Sequence, residues 1–166
     1  MENLELFLKR YFEMKEATFT KTEDGPWFCV PFKCKYGLIR VFACTRQEYS
    51  QYVFTANLPL FIPEDKRQQI ASLLTRLNWN IVIGNFEMDF KDGELRYRSA
   101  IKIYDSMSDE DVLEAIDDHF SNTYWMLEGD FATILAVMAG ADPAEAIAVQ
   151  RQAAAKEKAC SKLVNN

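Results

Sequence analysis

The 166-residue sequence is poor in the residues that most often announce chemistry. It has one histidine, His119, and four cysteines, Cys29, Cys34, Cys44 and Cys160, with no C-x-x-C spacing and no histidine beside any of them. Zinc centres draw their ligands from such residues in closely spaced pairs, so no metal ligands are assigned. Cys29 and Cys34 differ in parity on one strand and point to opposite faces, which argues against a disulfide between them. Buried, reduced thiols are the expectation. Neither a G-x-G-x-x-G turn nor a P-loop is present, which removes the glycine-lined phosphate cradles. No serine or cysteine occupies a nucleophile elbow, and His119 lies on an acidic helix beside Asp117 and Asp118. Glu114 and Asp118 share a helix face, as two-metal carboxylates do, but no His/Glu partner motif accompanies them. The expectation is a protein with no catalytic residues, no cofactor and no enzymatic activity.

Long hydrophobic runs are also lacking, and none approaches the ~18 residues of a membrane span. The opening "MENLELFLKRYFEMKE" carries an acid at position 2 and basic residues inside its apolar pattern. That pattern reads as an amphipathic helix, not a signal peptide, so a cytoplasmic location without membrane contact is expected. The net charge of −6 has the wrong sign for a phosphate backbone, so nucleic acid is not an expected partner. Lys and Arg are absent between Asp105 and Asp130, where acids fall at 105, 109, 110, 111, 114, 117, 118, 128 and 130. These form a solvated helix face, with the first few favoured by the helix dipole. Docking onto a basic partner surface is the functional alternative for that face.

What the chain has in quantity is apolar residues, 49% of the total, with 12 Phe, 7 Tyr and 3 Trp. One domain of this length buries roughly two thirds of its unfolded surface. The most patterned stretch is "LNWNIVIGNFEMDFKDGELRYRSAI", residues 77–101. Asp92-Gly93 reads as a two-residue type I′ turn. That turn places Phe90 opposite Leu95, Asp89 opposite Arg96, Met88 opposite Tyr97 and Glu87 opposite Arg98. Apolar pairs then share one face and charge pairs the other, each pair contributing roughly 0.2–1 kcal/mol. Gly84 falls where parity changes, from Ile81 and Ile83 to Phe86 and Met88, as at a β-bulge. Gly84, Asp92 and Gly93 are therefore structural turn residues. Asn78 and Asn80 follow a helix end, where Asn satisfies loose carbonyls.

Elsewhere, Leu4, Phe7, Leu8, Tyr11 and Phe12 recur at helical spacing over about residues 2–15. "ATFTKT" and "WFCVPFKCK" read as strands, the second at an edge or bulged because Pro31 cannot donate to a ladder. "LIRVFACT" is apolar on both faces and reads as a central strand, and "EYSQYVFTANL" as a fourth. Pro63 opens a helix whose stripe is Ile70, Leu73, Leu74 and Leu77. Ser108 and Asp111 form a capping box for a long helix with Gly129 as a candidate kink. Gly140 ends it, and Asp142-Pro143 starts an Ala-rich last helix. The organisation expected is a domain over 1–140 and a helical tail over 141–166. Strand runs joined by hairpins, with helices between them, mean α+β with an antiparallel sheet in α-β-β-β-α-β-β-α order.

Aromatics exceed what such a sheet needs. Trp27, Tyr49, Tyr52, Phe54, Trp79, Tyr124 and Trp125 are the candidate partner-binding residues, because Trp and Tyr dominate protein interfaces.

The run from "LP" through "IPEDKRQQIASLLTRLNWNIVIGNFEMDFKDGELRYRSAI" resembles the YbjN-type family of proposed bacterial sensory transduction regulators. The resemblance rests on Pro63, Leu77-Asn78, Gly84, Phe86-Glu87, Asp92 to Leu95, and Arg96 with Arg98. It covers roughly residues 57–103, the element order extends it over 2–139, and the Ala-rich tail lies outside it. It implies a type III secretion chaperone-like fold that is usually a homodimer, with Ile70, Leu73, Leu74 and Leu77 at the dimer contact. It carries no established catalytic residues. The function implied is a cytoplasmic, non-enzymatic adaptor or chaperone-like regulator that binds another protein through exposed aromatics or sheet edges. The alternative is a small-molecule-binding regulator with an apolar pocket between sheet and helices.

Overall fold

A computed structural model describes residues 3–23, 25–34 and 36–164, with side chains as far as residue 156; Cys160 falls outside the latter. Helix α1 (Leu4–Met14) begins where Asn3 accepts a hydrogen bond from Glu5 N at 2.9 Å. Strands β1 (Thr20–Lys21), β2 (Trp27–Cys34), β3 (Gly37–Arg46) and β4 (Gln51–Phe61) follow. Then come α2 (Arg67–Asn78), β5 (Asn85–Met88), β6 (Glu94–Lys102), α3 (Asp109–Met138) and α4 (Pro143–Val164). The strands form one antiparallel sheet in the order β1-β2-β3-β4-β6-β5. The class is α+β, as the sequence pattern requires. Of "ATFTKT", only Thr20 and Lys21 pair.

Helices cover one face of the sheet. Alternation sends Phe28, Val30, Ile39, Val41, Phe54 and Tyr97 to that face, where all are buried. They meet Leu8 and Phe12 of α1 and Ile116, Phe120 and Leu127 of α3 in one core. Phe12, Phe32 and Phe54 each bring a ring within 6 Å of Phe120, so aromatic side chains fill the space between sheet and helices. The apolar pocket anticipated in that space is occupied by the protein's own core.

Helix α3 starts on the expected capping box: Ser108 N donates to Asp111 Oδ2 at 3.0 Å, and Asp111 N to Ser108 Oγ at 3.2 Å. It runs unbroken through Gly129. Helix α4 is capped by Asp142, which accepts from Ala144 N and Glu145 N. Its first turns join the core through Ala146 and Ile147. Gln150 donates to Gly129 O and Asp130 Oδ1, which ties α4 to α3.

The hairpin departs from the anticipated register. Met88 pairs with Leu95, Glu87 with Arg96, Phe86 with Tyr97 and Asn85 with Arg98. The loop is Phe90-Lys91-Asp92-Gly93, closed by Asp89 N donating to Glu94 O at 2.9 Å and Gly93 N to Asp89 O at 2.8 Å. A type I′ turn needs positive φ at both central residues, and here Gly93 has it (φ 84) while Asp92 does not. The carboxylates of Asp89 and Asp92 instead accept from Lys91 N and Glu94 N, which stabilises the longer loop. The shift is two residues, so every side chain keeps its face, but Arg96 gains Glu87 in place of Asp89. Gly93 is also pinned from outside: Ile62 N donates to its carbonyl at 2.8 Å, and a Cβ there would lie 2.1 Å from Ile62 O.

Gly84 is not a bulge within a ladder, because β5 begins at Asn85. It enters the strand at φ 79, and a Cβ would sit 2.6 Å from Arg98 O. Asn78 has a clear task. Its amide pairs with the backbone of Phe86 like a neighbouring strand, Nδ2 donating to Phe86 O at 3.0 Å and Oδ1 accepting from Phe86 N at 2.8 Å.

Candidate functional site

Among the described residues, the other face of the sheet carries no helix. Its side chains form rows across the strands, set by the register. One row is apolar: Trp27, Cys44, Val53 and Ala100. On one side of it lies Arg46, Gln51 and Lys102; on the other lie Phe42, Thr55 and Arg98, then Arg40, Asn57 and Arg96. A groove of about 720 Å³ follows the apolar row from Trp27 to Val53, walled by Trp27, Val53, Arg46, Arg96 and Arg98, with Glu48 the one carboxylate in its lining.

The cations on this face are held in different ways. Glu87 Oε2 accepts from Arg96 Nε at 3.0 Å and Nη2 at 2.9 Å, and its Oε1 lies 3.5 Å from Arg98 Nη1. The Arg46 guanidinium lies over the Tyr49 ring, 4.4 Å from its centroid. Asn57 Nδ2 donates to Glu94 Oε1. Burial pushes the thiols of Cys44 and Cys29 up, with Arg46 and Arg40 opposing it, so both remain protonated and poor nucleophiles at neutral pH.

Both sheet edges are partly covered. At β5, the Asn78 amide occupies the free N–H and C=O of Phe86. At the other end, Thr22 N donates to Trp27 O, so the odd residues of β2 direct their backbone outward. Strand β1 covers Phe28 and Cys29, and beyond it the outward positions are Pro31, which has no N–H, and Lys33, whose charge disfavours edge pairing. Pro31 thus sits at a free edge, one of the two settings anticipated for it.

The candidate aromatics separate into two groups. Tyr52 and Phe54 are 0% exposed and Tyr124 8%, so these three belong to the core and offer no surface to a partner. Alternation along β4 explains the first two, since they share the helix-covered face with Ala56. Trp79 (87%), Trp125 (61%) and Tyr49 (51%) are exposed, and Trp27 is half-buried in the groove wall. The stripe assigned to a dimer contact also turns inward. Ile70, Leu73 and Leu74 are buried within the chain, which leaves these three no surface for an interface, while Leu77 packs against the same core and is half-buried. Sequence reading passed over Arg46, Val53, Arg96 and Arg98. The signal for them is the parity of strand residues whose alternate neighbours are core.

Several polar groups of α3 are engaged inside the chain. Asp117 accepts from the Tyr11 hydroxyl at 2.7 Å and pairs with Lys15 at 2.8 Å, while Asp109 lies 3.7 Å from Arg10. Burial pushes the Asp130 carboxyl up, partly opposed by the hydrogen bond from Gln150. His119 Nδ1 lies 2.5 Å from Ser99 Oγ, between β6 and α3, with Ser99 1% exposed and His119 half-buried. Burial holds the imidazole below its usual pKa, with Asp118 opposing. Among the described residues no group of three or more His, Cys, Asp or Glu could hold a metal ion. Among the same residues, no helix is long and apolar enough to cross a membrane.

The architecture is an antiparallel α+β sheet with helices on one face. A solved protein of the same fold is YbjN from E. coli, described as a proposed transcription regulator. The two superpose with a TM-score of 0.58 over 78% of this chain and 92% of that one, at 10% sequence identity. This likeness is one of fold. No family model matches the chain, and no curated protein matches it.

Proposed function

We propose that the chain is a non-enzymatic adaptor or chaperone-like regulator of the YbjN type that acts in the cytoplasm by binding a partner protein. The observation that carries this reading is the uncovered sheet face, where an apolar row ending at Trp27 lies in a groove between rows of cations. A sheet face that keeps half-buried Trp27, Phe42 and Val53 without a covering layer is suited to receive one. The regulatory label of YbjN, a protein of the same fold, is consistent with that role. Exposed Trp79 and Trp125 supply further anchors of the kind interfaces use. The protein is proposed to act as a homodimer, and the contact uses surface groups because Ile70, Leu73 and Leu74 of α2 are inside the chain.

The test is affinity purification from the native organism with the wild-type chain and with Trp27→Ala, followed by mass spectrometry. The reading expects a partner retained by the wild type and lost from Trp27→Ala, while Trp27→Ala keeps its thermal midpoint. A partner held equally by both removes the open face from the role. Light scattering at tens of micromolar reports the oligomer, and a monomer rejects the homodimer. A parallel sample ending at Gly140 shows whether α4 contributes.

A further inference from the structure

The charges on the uncovered face do not follow the charge of the molecule. The chain has 19 Lys and Arg against 25 Asp and Glu. Yet the strand positions facing away from the helices carry Lys33, Arg40, Arg46, Arg96, Arg98 and Lys102, against Glu87 and Glu94, and the groove lining adds one further carboxylate, Glu48. The single carboxylate of Glu87 is shared by Arg96 and Arg98, so it leaves cationic charge uncompensated. Arg46 stacks on Tyr49 and has no carboxylate within ion-pair distance among the described residues. A stacked guanidinium keeps its N–H edge free for an incoming acceptor.

The spacing narrows the ligand. Four strands about 4.8 Å apart make the apolar row Trp27-Cys44-Val53-Ala100 about 15 Å long. Residues two apart on a strand are separated by about 7 Å, so Arg46 with Lys102 flanks the row on one side and Arg98 on the other at that distance. Resting on the partner-binding reading above, we propose that this face binds an acidic amphipathic peptide segment of another protein, its apolar side chains in the groove and its carboxylates on the flanking arginines. Arginine forks pair with carboxylates in bidentate geometry, and flanking the apolar row with cations makes charge the discriminator between partners. Single-stranded nucleic acid fits less well. Its backbone carries a charge at every residue against a molecule of net −6, and Trp27 and Phe42 are both half-buried, which denies bases open rings to stack on.

The experiment is fluorescence anisotropy with labelled peptides of about twelve residues (enough to cross the row) in which Leu and Phe alternate with Glu, Gln or Lys. An oligouridine of similar length is measured beside them. The Glu peptide should bind at least about tenfold more tightly than the Gln peptide, and weaken as salt rises. The double variant Arg46→Gln/Arg98→Gln should lose about tenfold, whereas Arg10→Gln on α1 should lose nothing. Thermal melts establish that each variant is folded, and Arg46→Lys, which keeps charge without the fork, should fall between. Equal binding of the Glu and Gln peptides, preference for the Lys peptide, or binding of oligouridine alone would each overturn the proposal. If Trp27→Ala abolishes the native complex and the Glu peptide still fails to bind, the acidic ligand is wrong and the adaptor reading stands. If the Glu peptide binds and the native complex survives Trp27→Ala, the open face has a ligand but the native partner is held elsewhere on the chain.

Discussion

Replacing Asn78 by Asp tests whether a side-chain amide acts as the missing neighbour of edge strand β5. The substitution keeps size and shape and keeps the oxygen that accepts from Phe86 N at 2.8 Å. It turns the amide nitrogen, which donates to Phe86 O at 3.0 Å, into a second oxygen. One hydrogen bond worth about 0.5–1.5 kcal/mol is lost, and a carboxylate oxygen is set against a carbonyl oxygen. The sum is about 1–3 kcal/mol at pH 7, on the scale of a broken part-buried hydrogen-bond pair. The charged form is disfavoured in the folded state, so the folded pKa of the new carboxyl lies above its unfolded value. The penalty is therefore small below about pH 4, where the protonated group can donate to Phe86 O, and grows as pH rises through the folded pKa. Urea unfolding of both proteins at neutral pH and near pH 4, with m-values compared, measures this. Asn78→Asp within about 0.5 kcal/mol of the wild type at pH 7 would refute the strand-mimic role. Asn78→Ala, which opens the edge, should also raise the tendency to aggregate.

Gly93→Ala should cost about 2–4 kcal/mol by urea melt, since positive φ disfavours a side chain and the Cβ would displace the backbone of Ile62. A loss below about 1 kcal/mol would mean that contact yields freely. In a double-mutant cycle, Arg96→Ala and Glu87→Ala should couple by about 0.5–1 kcal/mol, as a part-exposed pair does. Arg96→Ala and Asp89→Ala should not couple, and the reverse result would restore the two-residue turn. Burial lowers the folded-state pKa of His119, so its contribution to stability is present above the unfolded value near pH 6.5 and is lost as pH falls through the lower folded value. His119→Gln should flatten the decline in stability between about pH 7 and 5, and an unchanged slope would place the proton uptake elsewhere.

Much of the fold was legible because its signals are local. Leu4, Phe7, Leu8, Tyr11 and Phe12 mark one helix face, and every one of them is buried in α1. Ser108 and Asp111 announce their own capping box, and Pro31 betrays a strand edge. Parity in the 77–101 stretch assigned Phe86, Met88, Leu95 and Tyr97 to the core face without knowledge of any neighbour. What parity leaves open is a slip of two residues, which moves no side chain to the other face. Tertiary contact resolved it, with Ile62 bonded to Gly93 and the carboxylates of Asp89 and Asp92 completing a longer loop. Composition marks Tyr52 and Trp79 alike as aromatic, but one points under α1, its hydroxyl on Leu4 O, and the other into solvent, because exposure depends on which face the helices cover. The same holds for Ile70, Leu73 and Leu74, whose stripe is visible in sequence and whose partner is not. The basic face is the extreme case. Arg40, Arg46, Arg96 and Arg98 lie scattered along an acidic chain, and only the pairing of β3 with β4 and β4 with β6 sets them around one apolar row.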